Sequence, residues 1–299
     1  MTEPAPPRRR GEPHQGPFRI LAAPDPRGTT ITTCGLVATL PRSGSWLLSD
    51  ALASTGLVGQ PAEFFRPDYL AAYRRSWGLA ADCSTTSYVE AAIDRTASDS
   101  GIFTAKLHWY QFEWLCEELA IELGVESPPT LDLIAPYFPQ LRVIRLTRRD
   151  RARQALSYYV AIHSQRWFDH APPAARLTDD PDWAPDLQQV RFLDDALANH
   201  ESCWERVLAS ASAPTLTVAY EDLVADRELT LTTVLRFLGV EADPQLVSAP
   251  AGLSRQAGKY TDMWVRRYEG VRDLLQPLTS AHVWSDQVGG YVPRDSADG

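Results

Sequence analysis

The pattern of apolar and polar residues predicts strands that turn directly into helices. Apolar residues run from Leu36 to Leu40, a polar loop follows from Pro41 to Ser45, and apolar residues recur at helical spacing from Leu47 to Leu52. The same order returns where the strand pattern of Leu141 to Leu146 leads into a helical pattern over Ala152 to Tyr159. Such units build parallel sheets, whose ligands gather beyond the carboxyl ends of the strands.

Two further apolar runs, Gly101 to Leu107 and Pro214 to Tyr220, predict the remaining strands. Helical spacing follows each run, and Gly124 and Gly239 are suited to end these helices. The sequence therefore predicts an α/β fold with a P-loop-like parallel sheet flanked by helices. We expect a single domain with a helical elaboration and no internal repeat.

The two ends of the chain lack this periodicity. Residues 1–30 are rich in Pro, Gly and Arg and are expected to form a disordered tail. Within it, the run Arg8 to Arg10 is either a solvated basic segment or a contact for an acidic partner. Residues 293–299 are expected to be frayed, so the folded domain is expected to span 31–292.

Composition and charge narrow the class of protein. A net charge of −9 argues against a nucleic-acid partner, so local arginines would have to hold any anionic ligand. The 4 cysteines are widely separated, which predicts neither a disulfide framework nor a metal site. No apolar run reaches bilayer length, and residues 1–30 lack the apolar core of a signal peptide, so we expect a cytoplasmic protein with no membrane contact.

The loop after the first strand is a candidate anion site. A strand that turns into a helix through small residues leaves the first N–H groups of the helix unpaired, which favours phosphate. Arg42 supplies a positive charge, Ser43 and Ser45 supply hydroxyl donors, and Gly44 lets the backbone close around an oxyanion. The loop lacks the Gly-x-x-x-x-Gly-Lys-Ser/Thr pattern of nucleotide P-loops. An ordinary turn with a solvated Arg42 would have the same composition.

The second strand–helix junction carries a similar set of side chains. Arg148 and Arg149 stand at the end of the predicted strand, and Ser157 lies about two turns into the helix. An arginine at the mouth of the sheet and a hydroxyl from the helix can converge on one phosphate. The alternative is that both arginines are solvated or pair with Asp150.

Six segments occur together in a recognisable order: PRSGSWLL, QPAEFF, KLHW, RRDRARQALSYY, YEDL and SRQAGKYTDMW. Over about Gly35 to Tyr268 the chain resembles the bacterial sulfotransferases of the trehalose 2-sulfotransferase family. The resemblance implies the sulfotransferase fold. It also implies transfer of a sulfuryl group from 3′-phosphoadenosine 5′-phosphosulfate (PAPS), without a metal, to a hydroxyl of a carbohydrate or other small metabolite. A homodimer is implied as well, and the acceptor is left open between a trehalose-like sugar and a hydroxylated natural product.

The resemblance assigns roles to the residues at the two junctions. The loop Arg42 to Ser45 would hold the 5′-phosphosulfate, with Arg42 as its basic residue. Arg148 and Ser157 would hold the 3′-phosphate, and Arg149 is an alternative because the spacing differs by one residue between branches of the superfamily.

The resemblance also implies a catalytic base and a segment that covers the nucleotide. Glu63 falls on the glutamate that acts as general base, a role it could fill with a moderately raised pKa. His108 lies in a Lys-x-His pattern that carries the catalytic histidine of cytosolic sulfotransferases, so either side chain could be the base, and Glu63 is preferred. Lys106 either contacts a substrate or snorkels to solvent. Arg255, with Gln256, would close over the nucleotide.

One residue departs from the family's pattern. Trp46 stands where the family usually has a threonine whose hydroxyl can reach the phosphate. This leaves two alternatives to a sulfotransferase: a small-molecule kinase of related P-loop architecture, and a nucleotide-binding relative that has lost catalysis.

Overall fold

The structure is a computed structural model that describes residues 28, 30–167, 177–241, 243–247, 257–285 and 290–294. Most of the predicted tail, residues 1–30, lies outside this part, as do residues 295–299. Within the described residues, no helix has the length and apolar character needed to cross a membrane.

A four-stranded parallel sheet forms the centre of the fold. Its strands are β1 (Thr33–Thr39), β2 (Ile102–His108), β3 (Arg142–Thr147) and β4 (Thr215–Ala219), in the spatial order β2-β1-β3-β4. Every residue of β1 and β2 is buried, as expected of a parallel sheet that is covered on both faces. The fold predicted from the sequence is confirmed.

Helices follow the strands along the chain, and a small antiparallel hairpin closes the described part. The helices are α1 (Ser45–Ser54), α2 (Pro67–Ser76), α3 (Thr85–Thr96), α4 (Trp109–Leu123), α5 (Leu131–Ile134), α6 (Arg151–Ser164), α7 (Leu187–Ser210), α8 (Tyr220–Ala225), α9 (Arg227–Phe237), α10 (Pro244–Val247) and α11 (Thr261–Val271). Short 3-10 turns occupy Ala135–Tyr137, Leu177–Asp179 and Arg272–Leu274. The hairpin pairs β5 (His282–Ser285) with β6 (Gly290–Pro293). This hairpin was not predicted, because strands of only four residues are too short to show a clear apolar pattern.

Alternate residues of the central strands point to opposite faces of the sheet. Leu36 and Ala38 of β1 belong to the larger apolar cluster, which includes residues from α3, α4, α6 and α7. Val37 belongs to the second cluster, which includes residues from α1 and α9. The sheet is therefore the middle layer of three, and the ends of its strands remain open for a site.

Candidate active site

The loop between β1 and α1 has the backbone shape that its sequence suggests. Gly44 has a φ of 84°, and a Cβ atom placed on it would lie 2.3 Å from Cδ2 of Tyr220. Both the left-handed conformation and the close ring therefore require glycine at this position. Arg42 also has a positive φ, of 62°. The loop turns tightly here, and α1 begins directly after it at Ser45.

A cavity of about 340 Å³ lies beyond the carboxyl ends of β1 and β3. Gly44 and Ser45 line it, together with Ser157 from α6. Among the described residues, five arginines and no carboxylates contribute to its lining. The arginines are Arg42, Arg148, Arg153, Arg166 and Arg227. The cavity has the size of a small-molecule site and the charge to hold an anion, although the chain as a whole is acidic.

Arg42, Arg148 and Ser157 come together at one wall of this cavity. Arg42 Nε donates to Ser157 Oγ at 3.0 Å, and Arg148 Nη1 donates to the Arg42 carbonyl oxygen at 2.8 Å. Arg42 Nη1 also donates to the carbonyl oxygen of Trp167. Burial lowers the pKa of Arg42 to about 10, and the neighbouring charge of Arg148 acts in the same direction. Two crowded, buried guanidinium groups suit a phosphate, which would relieve their repulsion.

One atom at this wall supports the same conclusion. Arg148 Nε is buried and has no hydrogen-bond acceptor among the described residues. A buried donor without an acceptor is costly, so a phosphate oxygen at this position would satisfy it. The residues present therefore fit a ligand that carries phosphate groups.

Arg148 and Arg149, the two alternatives one position apart, point to different surroundings. Arg149 does not line the cavity, and its side chain is 60% exposed. It forms an ion pair with Asp222 through a 2.8 Å hydrogen bond from Nη1. Asp150, a predicted partner, instead accepts from Arg153 Nε at 2.9 Å. The structure therefore places Arg148, rather than Arg149, beside Ser157.

Ser43 lies in the loop but faces away from the cavity. Its side chain is buried, and its Oγ lies 2.5 Å from Oγ1 of Thr39. Ser45, by contrast, lines the cavity. The Ser43 hydroxyl therefore stabilises the loop and does not line the cavity.

Glu63 is the centre of a second, separate polar cluster. Lys106 Nζ lies 2.9 Å from Glu63 Oε1, and Gln111 Nε2 donates to Oε2 at 2.8 Å. His108 Nε2 and Arg66 Nη1 each lie 3.6 Å from a Glu63 oxygen. Because the cluster contains both candidate bases, we call Glu63, Arg66, Lys106, His108 and Gln111 the base cluster.

The base cluster sets one carboxylate, Glu63, against the cations Lys106 and Arg66, and these charges act together with burial to set its pKa values. Burial raises the pKa of Glu63, but the charge of Lys106, with His108 and Arg66, outweighs burial and holds this pKa well below its usual range. The expectation of a moderately raised pKa for Glu63 is therefore wrong, because a buried ammonium lies in contact with the carboxylate. Burial lowers the pKa of His108, and Glu63 opposes this without cancelling it, while Lys106 and Arg66 act in the same direction as burial. The imidazole is therefore neutral at pH 7.

Lys106 and Trp46 form a contact that the sequence did not indicate. The Lys106 side chain is fully buried, so the alternative in which it snorkels to solvent is wrong. Its Nζ lies 3.7 Å from the centroid of the Trp46 ring, which is a cation–π contact. Trp46 also lines the cavity. The residue that departs from the family's threonine therefore contacts both the cavity and the base cluster.

Several site residues were missed by the sequence analysis, and two predicted ones cannot be located. Arg153 shares α6 with Ser157, four positions earlier, so helical spacing could have identified it. Arg227 begins α9 without any motif around it, and only the fold brings it to the cavity. Arg255 and Gln256 lie outside the described residues.

Tryptophan rings can stack on sugar faces, but Trp109, Trp183 and Trp264 pack against aromatic neighbours. The Trp109 ring lies 5.4 Å from that of Trp204, and the Trp183 ring lies 6.2 Å from that of Trp264. Trp167 does line the cavity. Most of these side chains are therefore part of the packing of the fold.

The parallel sheet and the arginine-lined cavity at its strand ends define an α/β protein with a candidate site for a phosphate-bearing ligand. The model of the Stf0 sulphotransferase family matches residues 34–270, and the chain belongs to this family. It is therefore a sulfotransferase, and the family uses PAPS as its sulfuryl donor. The kinase-like and non-catalytic alternatives are not supported by this match.

Two curated relatives and one solved structure are similar to the chain. Trehalose 2-sulfotransferase of Mycobacterium tuberculosis is 28% identical over 78% of this chain and 93% of its own length. The protein of the same name from Mycolicibacterium smegmatis is 26% identical over 79% of this chain and 94% of its own length. The sulfotransferase domain from the curacin biosynthetic pathway aligns with a TM-score of 0.42 and 15% identity, and the alignment covers 78% of this chain and 83% of that domain.

Proposed function

We propose that this enzyme transfers a sulfuryl group from PAPS to a hydroxyl of a carbohydrate, and that trehalose is the first acceptor to test. The arginine-lined cavity supports PAPS as the donor, because it suits a ligand with two anionic groups. The acceptor half rests on the two relatives, which are named for trehalose. When bound, PAPS supplies a sulfuryl group joined to its 5′-phosphate.

Two parts of the cavity would hold the two ends of the donor. Gly44 and Ser45, at the start of α1, would hold the 5′-phosphosulfate through backbone N–H groups and the Ser45 hydroxyl. Arg148 and Ser157 would hold the 3′-phosphate. Arg42 is bonded to Ser157 and belongs to the loop, so its guanidinium would serve both anionic groups. Charge that develops on the leaving phosphate would be stabilised there.

The base cluster would accept the proton of the attacking hydroxyl. Glu63 has a strongly lowered pKa and is therefore a weak base, whereas neutral His108 can accept a proton. The Glu63 carboxylate, 3.6 Å from His108 Nε2, would stabilise the imidazolium that forms. The family resemblance favours Glu63 as the base, whereas the pKa directions favour His108 with Glu63 as its partner.

Binding of the desulfated donor, 3′-phosphoadenosine 5′-phosphate (PAP), tests the donor site. Calorimetry should show that PAP binds more tightly than 5′-AMP or ATP. Arg148→Ala should weaken PAP binding by about 10- to 100-fold, since a hydrogen bond to a charged group contributes about 1.5–3 kcal/mol. Arg149→Ala is the matched control and should leave the affinity unchanged, because this side chain faces Asp222 and solvent.

The opposite result would remove the basis of the proposal. If PAP binds no better than 5′-AMP, the cavity does not recognise a 3′-phosphate. If PAP binds selectively, incubation with PAPS and trehalose, followed by mass spectrometry of the sugar, tests the acceptor. A cytoplasmic location and a homodimer stay predictions, which cell fractionation and light scattering can test.

A further inference from the structure

The Trp46 side chain both lines the cavity and packs on Lys106 of the base cluster. Glu63, Lys106 and His108 do not line the cavity. The Lys106 ammonium lies 3.7 Å from the Trp46 ring centroid and is fully buried. An aromatic ring therefore stands where the donor cavity and the base cluster meet.

The position of Trp46 matters because the acceptor must contact the donor cavity and the base cluster at the same time. The acceptor oxygen must reach the sulfur of the donor while its proton reaches the base. With Trp46 in its observed position, the described residues leave the base cluster outside the cavity lining. A threonine at this position would leave much of the space of the indole unfilled.

We propose that Trp46 is a specificity-determining residue that prevents water from acting as the acceptor, by separating the donor cavity from the base cluster until a larger acceptor displaces its ring. The inference rests on the proposed function, since it presumes that PAPS occupies the cavity. Enzymes that carry a reactive group commonly exclude water to avoid hydrolysis. Here the exclusion is assigned to one side chain of the loop.

The side reaction that Trp46 would suppress is hydrolysis of the donor. A water oxygen would bond to sulfur, and the bond from sulfur to the bridging phosphate oxygen would break. The electron pair of that bond would leave with PAP, and one proton of water would pass to His108. The second proton would leave as hydrogen sulfate ionises, so the products would be PAP, inorganic sulfate and two protons, and no further reactant is needed.

The chain contains only two lysines, Lys106 and Lys259, which allows a direct test of the barrier. Lys259 is exposed and Lys106 is fully buried. Reductive methylation with formaldehyde and a borohydride, read by mass spectrometry, should modify Lys259 but not Lys106 in the wild type. In Trp46→Thr, Lys106 should be modified at least about tenfold faster, and PAP should suppress this increase. Trp46→Phe, which keeps an aromatic ring, should behave as the wild type.

Lys259 reports the general reactivity of each variant, so the outcome for Lys106 is decisive. If Lys106 in Trp46→Thr stays as unreactive as in the wild type while Lys259 is modified, the ring is not the barrier. If Lys106 reacts but PAP gives no protection, the opening does not lead to the cavity. Either result overturns the inference.

Donor hydrolysis gives a second measurement that needs no acceptor. Release of PAP from PAPS should be at least about tenfold faster in Trp46→Thr than in Trp46→Phe, and His108→Ala in the Trp46→Thr background should reverse the increase. Equal hydrolysis by variants that bind PAP equally would also overturn the inference. Failure of the wild type to bind PAP would instead contradict the proposed function, so the two failures can be distinguished.

Discussion

The donor cavity and the base cluster lie at neighbouring strand ends but organise charge in opposite ways. The cavity has five arginines and no carboxylate in its described lining, so its positive charge is left for a ligand to neutralise. The base cluster surrounds one carboxylate with Lys106, Arg66, Gln111 and His108. A region with excess positive charge is suited to bind an anion, whereas a carboxylate beside a neutral imidazole is suited to stabilise the positive charge that forms when the imidazole accepts a proton.

The comparison also shows why burial has different consequences in the two regions. Burial and mutual repulsion lower the pKa of Arg42 to about 10, so an anionic ligand would reinforce its charged state. In the base cluster, Lys106, His108 and Arg66 together outweigh burial and keep Glu63 ionised. The cavity therefore lacks counter-charges that a ligand would supply, whereas the Glu63 carboxylate has its counter-charges within the protein.

The largest expected effect is the loss of Lys106. Lys106→Met would leave the Glu63 carboxylate buried without its closest cation, and breaking a buried ion pair costs about 3–5 kcal/mol. Urea unfolding should show a loss of this size in the free energy of unfolding. The double variant Lys106→Met with Glu63→Gln should recover much of it, because no buried charge is left uncompensated. A single variant as stable as the wild type would contradict the compensated description of the cluster.

A smaller effect is expected for the loop between β1 and α1, which we call the cavity loop. Gly44→Ala would place a methyl group 2.3 Å from Tyr220 in a left-handed conformation, which costs about 1–3 kcal/mol. Gly78 is the matched control, since its φ is +67° and no atom lies within 4 Å of an added Cβ. Thermal unfolding should show both variants destabilised, and only Gly44→Ala should also weaken PAP binding. Unchanged PAP affinity in Gly44→Ala would place the phosphate away from this loop.

The smallest effect is a pH dependence that distinguishes the two candidate bases. If His108 accepts the proton, kcat should fall about tenfold per pH unit below an apparent pKa that lies under the ordinary value of 6.5, since a protonated imidazole cannot accept a second proton. If Glu63 is the base, the decrease should begin only below pH 4.5. If His108 is the base, the residual activity of His108→Ala should no longer decrease below the higher pKa. If Glu63 is the base, the variant should keep the pH profile of the wild type.

Much of the fold was predictable because it depends on local periodicity. Runs such as Leu36 to Leu40 and Leu141 to Leu146 have the apolar character of strands buried on both faces, and both lie in the observed sheet. The glycine at position 44 likewise indicated a tight loop, since few other residues adopt a positive φ without strain. These features are encoded within a few neighbouring residues.

The sequence by itself thus determined the strand–helix units, the cavity loop and the identity of the candidate side chains. Only the tertiary structure decided that Arg148 faces the cavity and Arg149 does not, because neighbouring residues point in different directions. It also decided the environment of Glu63, since a parallel bridge between Ala62 and Ala105 places Glu63 beside β2, from which Lys106 and His108 reach its carboxylate. Proximity between segments that lie far apart in the chain sets the pKa values, and local pattern carries no information about it.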